Sequence, residues 1–230
     1  VAKARDLIAQ YDGLVPSVLA DGGLNGQIKL GAIGTTLTGL TPRAMAALKE
    51  RVPGIGLHIR PGLTGAMLAE LERGTLDAAL VTKPGLTPSG LTFRPLAQEP
   101  MHLITALEEP DDDPLTLLRT RPYIRFNRTA VLGCLIDTWL LSKRIRVTEA
   151  MELDSAESIE SMVQANLGVS IVPELAVPPP QTILVKRVAL GAEAPVRVVG
   201  LAYRQDTIRP RAIDAVFDAF DGVIAKAKTA

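Results

Sequence analysis

A chain of 230 residues with 47% hydrophobic content has the length for one large domain or two small ones and enough apolar material for a sizeable core. Its 25 basic residues balance 25 acidic ones, which argues against a nucleic-acid-binding face, since duplex binding relies on basic charge. The single Cys134 rules out a disulfide within these residues and fits a reducing, cytoplasmic setting. The opening "VAKARDLIAQYDGLV" lacks the apolar core and small-residue cleavage site of an export signal, and no stretch reaches the ~18 uninterrupted apolar residues of a membrane span.

Residues 1–20 read as a helix with apolar positions at Leu7, Ile8 and Tyr11, weakened by Gly13 and Pro16 and closed by Asp21-Gly22-Gly23. "QIKLGAIG" (27–34) then alternates before running apolar, as a strand entering a core does. "TPRAMAALKERVPG" follows as a helix, with Thr41 as expected N-cap, Pro42 in the first turn and Pro53-Gly54 as the stop. The unit repeats as strand 55–61, helix 64–74 and strand 76–82, a βαβαβ pattern that predicts a mainly parallel sheet.

The middle is less regular. Residues 90–106 read as two short strands, held near an edge or crossover by Pro95 and Pro100, and "EEPDDDP" (108–114) as an exposed loop. A strand at 122–128 leads into a helix whose stripe is Val131, Leu132, Leu135, Ile136, Trp139 and Leu140, ending near Lys143 and Arg144. Cys134 is expected on that apolar face as a buried, inert thiol. Further strands are expected at 145–153, 182–190 and 196–203, before a closing helix from Pro210 with Ile213, Val216, Phe217, Phe220 and Val223 on one face. Two α/β units in succession predict two lobes, with a ligand cleft between them at the carboxyl ends of parallel strands.

No catalytic constellation is present in the sequence pattern. His58 and His102 lack the neighbours that a triad or a metal site needs, and neither Gly31 and Gly34 nor Gly62-Leu63-Thr64-Gly65 makes a phosphate loop. What recurs is a strand followed by hydroxyl residues at a helix start: Thr35 and Thr36, Thr64, and Ser155. Each reads as a cap, and Asp154 with Glu157 as a capping box. Taken together, hydroxyls and helix N-terminal amides from both units converge on one cleft and suit an anionic or polar ligand. Arg125, near the end of its strand, either offers a bidentate partner to a carboxylate or is paired internally.

The ordered combination of "GQIKLGAIGTTLTGLTPRAMAALKERVPGIGLHIRPGLTGAMLAELERGTLDAALV" (26–81) and "DSAESIESMVQANLGVSIVPE" (154–174) resembles the effector-binding domain of LysR-type transcriptional regulators. The resemblance covers essentially the whole chain. It implies an α/β fold of the type 2 periplasmic-binding-protein kind: a linker-helix remnant at 1–25, lobe I at 26–98 plus 204–230, and lobe II at 99–203, hinged near 97–100 and 201–204. It also implies an effector, in all expectation an organic acid, held between Thr35, Thr36 and Thr64 on one lobe and Arg125, Ser155, Gly168, Val172 and Pro173 on the other.

Neither enzymatic activity nor a cofactor or metal is implied. Effector domains of the family pair side by side and antiparallel, as dimers or tetramers, which would set helix 42–51 against helix 131–144 of a second copy. The family's N-terminal helix-turn-helix is absent from this sequence, so DNA binding is expected only of a longer parent protein in the cytoplasm. A solute-binding protein of a transport system shares the fold and is the alternative.

Overall fold

The computed structural model describes residues 24–229, so the opening helix with Leu7, Ile8 and Tyr11 lies outside the described residues. The first lobe is built from β1 (Gly26–Ala32), a single 3-10 turn (Gly34–Thr36), α1 (Leu40–Arg51), β2 (Ile55–Pro61), α2 (Thr64–Glu72) and β3 (Ala78–Thr82). β1 pairs in parallel with β2 and β3. Every residue of β3 is buried because both faces of the sheet are covered. Ala78 and Leu80 face the cluster shared with Ala44 and Leu48 of α1, while Ala79 and Val81 face Met67, Leu68 and Leu71 of α2; the two-residue side-chain period divides them.

α1 starts one residue before the expected cap. Gly39 stands at the N-cap because a Cβ there would run into the carbonyls of Val177 and Pro178. Thr41 lies inside the first turn, buried, with its hydroxyl 3.4 Å from that of Thr36.

Residues 91–105 form one continuous strand of 15 residues, β4 (Leu91–Thr105), rather than two. Pro95 is accommodated where the register with the return strand β9 (Val196–Arg204) shifts between Pro95 and Ala97. β4 then enters the second lobe, where its last residues pair with β7 (Ser170–Pro173) on one side and β8 (Lys186–Ala189) on the other. The remainder of that lobe is α3 (Pro114–Thr120), β5 (Pro122–Phe126), α4 (Val131–Ser142), β6 (Thr148–Leu153) and α5 (Ala156–Gln164). β5 pairs in parallel with β6 and bridges through Tyr123 to Val169.

The main sheet thus runs β2-β1-β3-β9-β4-β7, with β8 also paired to β4, and β6-β5 form a second, two-stranded sheet bridged to Val169 just before β7. The final helix, α6 (Pro210–Thr229), returns to the first lobe and buries Ile213, Val216, Phe220 and Ile224 against α1.

Several local expectations change. The acidic run is not wholly an exposed loop: Asp113 accepts a hydrogen bond from the amide of Thr116 (2.8 Å) and, with Pro114 following, starts α3. Glu109 is buried and paired with Arg121. Ser155, not Asp154, caps α5, accepting from the amide of Ser158 at 3.3 Å. Cys134 is exposed, one position off the stripe that buries Leu132, Ile136, Trp139 and Leu140; its thiol donates to the carbonyl of Arg128.

Two core clusters correspond to the lobes. Residues 199–203, expected in the second lobe, lie in the first, since they pair with β3 and Leu201 joins the first cluster. Val177 does the same, so the segment after β7 also touches the first lobe.

Gly168 packs its Cα against the backbone of Pro122, where a Cβ would fall on the carbonyl oxygen. Gly168→Ala is therefore expected to cost about 1–3 kcal/mol in chemical denaturation. Gly222→Ala, in open space on α6, is expected to stabilise by about 0.5–1 kcal/mol.

Candidate functional site

A cavity of about 510 Å³ lies between the lobes, at the carboxyl ends of β1, β5 and β6, where open α/β sheets bind ligands. Its first-lobe wall is the turn after β1 (Ile33 to Thr35, Leu37, Thr38), the entry to α2 (Gly62 to Thr64) and Thr82. Its second-lobe wall is Phe126, the start of α4 at Ala130 to Leu132, the start of α5 at Asp154 to Glu157, and the end of β7 at Val172 and Pro173. Pro178 and Pro179 close one side.

The structure brings together Thr35, Thr64, Ser155, Val172 and Pro173 on this wall. It does not bring Thr36, Gly168 or Arg125 to it. The buried Thr36 hydroxyl donates to the carbonyl of Ile33 at 2.8 Å, and Gly168 is spent on the contact with Pro122. Arg125 donates through Nε to Glu149 (2.6 Å) and through Nη1 to Asp137, alongside its stacking neighbour Tyr123, whose ring centroid is 5.5 Å away. Its neighbour Phe126 lines the cavity instead, as side-chain alternation along β5 requires. The Arg125 guanidinium holds the Glu149 carboxyl below its usual range, and burial pushes the Tyr123 phenol above its own.

Two other guanidiniums do reach the wall, Arg187 on β8, paired with Glu160, and the buried Arg197 on β9; Arg197 is the one that joins the lobes. Its side chain is 1% exposed. It pairs with Glu99, its register partner on β4, and its Nη1 donates to the Thr35 hydroxyl at 2.8 Å. The other oxygen of Glu99 accepts from the amide of Ala176 at 2.9 Å. Burial draws the Arg197 pKa down and Glu99 opposes the shift, so the two charges depend on one another. This unit was missed in the sequence, although a lone arginine in "VRVVGLAY" and a lone glutamate in "LAQEPM" were its visible signal.

His58 is exposed on β2, away from the cavity, and no group of three or more His, Cys, Asp or Glu among the described residues could hold a metal ion. The wall can therefore offer hydroxyls, backbone amides at helix starts, two neutralised guanidiniums, carboxylates and apolar surface.

Two lobes, two shared strands and a ligand-sized cavity at the strand ends define a ligand-binding domain of the type 2 periplasmic-binding-protein class. Residues 21–224 match the family model described as the LysR substrate binding domain, and the chain belongs to that family. It is 31% identical over 200 residues to a probable hydrogen peroxide-inducible genes activator of Mycobacterium avium, covering 81% of this chain and 61% of that protein; it thus spans about three fifths of that relative's length.

Among solved structures, a full-length OxyR variant of Pseudomonas aeruginosa superposes with a TM-score of 0.75 at 25% identity, covering 96% of this chain and 78% of the other. The effector-binding domain of QuiR, solved in complex with shikimate, has the same fold (TM-score 0.74, 20% identity, 89% and 98% coverage).

Two outcomes follow from the charge pairs. Arg197→Ala leaves Glu99 buried without its partner and is expected to cost about 3–5 kcal/mol in denaturant unfolding, most of it recovered when Glu99→Leu is combined with Arg197→Met. Arg125→Ala should cost about 1–3 kcal/mol and move the Glu149 carboxyl up toward its ordinary range by NMR, with the Arg128 guanidinium, also paired with Glu149, still holding it down. Because the folded Glu149 pKa is depressed, its stabilisation is present above the unfolded pKa and is lost as pH falls through the folded value.

Proposed function

We propose that this chain is the effector-sensing part of a LysR-type transcriptional regulator, and that a small organic acid binds between its lobes. The observation that carries this reading is the 510 Å³ cavity with walls drawn from both lobes, a volume suited to a metabolite-sized ligand. The carboxylate end is assigned to the Thr35 and Thr64 hydroxyls of the first lobe, beside the buried Arg197 that donates to Thr35.

A ligand touching both walls favours one set of lobe positions, and its differential affinity for the available states shifts the equilibrium between them. That shift is passed to an N-terminal DNA-binding domain in the parent protein, and the domain works as a dimer or tetramer with α1 of one copy against α4 of another. The protein acts in the cytoplasm and without turning its ligand over; no helix among the described residues is long and apolar enough to cross a membrane.

The relatives named for hydrogen peroxide raise a redox reading. Cys134 is the one cysteine of the sequence and is not on the cavity wall, so a disulfide within these residues has no second partner. That favours reversible ligand binding.

The test is calorimetric titration of the chain with shikimate and a panel of small carboxylates. Thr64→Val and Ser155→Ala are expected to weaken a binder by about tenfold or more each, the worth of one hydrogen bond to a charged group, while Arg125→Ala leaves affinity unchanged. Binding that ignores the wall variants and falls with Arg125→Ala would remove the site from the cleft.

A further inference from the structure

The charges on the cavity wall do not balance, and the excess lies on one side. Of the two guanidiniums there, Arg197 is matched by Glu99 and Arg187 by Glu160 at 2.9 Å. That leaves the carboxylates of Asp154, Glu157 and Glu174, all on the second lobe. No basic side chain among the described residues pairs with Asp154 or Glu157, and the basic side chain beside Glu174 is His102, whose Nδ1 is 3.7 Å away and beyond hydrogen-bond reach.

The first-lobe wall facing them is neutral and polar, with the hydroxyls of Thr35, Thr64 and Thr82. Phe126, Val131 and Leu132 supply apolar surface between.

A ligand with only negative charge would meet three uncompensated carboxylates on entry, and the field of such a cleft concentrates positive charge instead. We infer that the effector carries a protonated amine as well as its carboxylate: an α-amino acid or a close zwitterionic relative. This rests on the reading of the cleft as the effector site. The carboxylate faces Thr35, Thr64 and Arg197, the ammonium distributes its three donors between Asp154 and Glu174, and the side chain lies on Phe126 and its apolar neighbours. The second lobe thereby reads the amine and the first reads the acid, so one small molecule closes the two together.

The experiment is calorimetric titration of the chain with two matched sets: L-phenylalanine, 3-phenylpropanoate and 2-phenylethylamine; and L-leucine, 4-methylpentanoate and 3-methylbutylamine. Within each set the carbon skeleton is kept and one charged group is removed. In at least one set the amino acid is expected to bind about tenfold or more tightly than its des-amino acid, as a charge-complementary contact allows. In the Asp154→Asn, Glu174→Gln double variant, both positions being exposed, that ratio is expected to fall to about twofold or less, with the des-amino acid's affinity retained. A des-amino acid that binds as tightly as its amino acid overturns the inference and leaves the cleft reading standing. A preference that persists in the double variant overturns the placement of the amine. Binding by none of the six compounds overturns the inference, and the shikimate and carboxylate titration then decides the cleft reading by itself.

Discussion

The pairing of Glu99 with Arg197 is the constraint on which the rest of the architecture depends. Two full charges sit on adjacent strands at the point where the chain passes between lobes, with side chains 4% and 1% exposed. Neither is tolerable there alone. Opposed in register, they neutralise each other and retain enough bonding capacity to hold two further pieces of chain: the turn after β1 through Thr35, and the segment after β7 through the amide of Ala176. One ion pair therefore ties both crossing strands, the first-lobe wall and the proline-rich flank of the cavity to a common point. The cavity is a gap left around that point by two lobes whose cores are otherwise separate.

What the cavity can recognise is decided by residues that contribute little to either core. The walls of the two lobes come from strand ends and helix starts, and these differ in chemistry: hydroxyls on the first lobe, carboxylates and the Ser155 cap on the second. A fold shared with OxyR and QuiR does not specify a ligand; the side chains mounted on the rims do. The mutual pairing of Arg125, Asp137 and Glu149 shows the complementary case, in which charges beside the cleft are consumed in holding β5, β6 and α4 together.

The lobes and most elements were legible in the sequence because they follow from periodicity. β3 is a continuous apolar run, α6 an amphipathic stripe, and the hydroxyl-bearing strand ends at Thr35, Thr64 and Ser155 do reach one cavity. What was not legible depends on orientation or on distant partners. Arg125 and Phe126 are neighbours in sequence and face opposite ways, so the residue with the attractive chemistry points away and the apolar one lines the wall. Glu99 and Arg197 are 98 positions apart, and nothing local announces that they meet. Cys134 was expected to be buried because its helix is apolar, yet a single step round the helix takes it to the surface. The proline-rich stretch from Pro178 has no period at all, and its place against the cavity is set by Val177 and Gly39 in the first lobe.

β4 has a last consequence. It is one unbroken strand that belongs to both lobes, and β9 lies antiparallel to it across the same junction. A joint of that kind is unlike a flexible linker, whose ends wander independently. Two hydrogen-bonded strands resist sliding and stretching, because either would break ladder bonds together, and yield most readily to torsion about their common axis. The lobes are thus connected as by a short torsion bar: displacement in one is delivered to the other as rotation, of limited amplitude and with a restoring force, rather than being lost as slack.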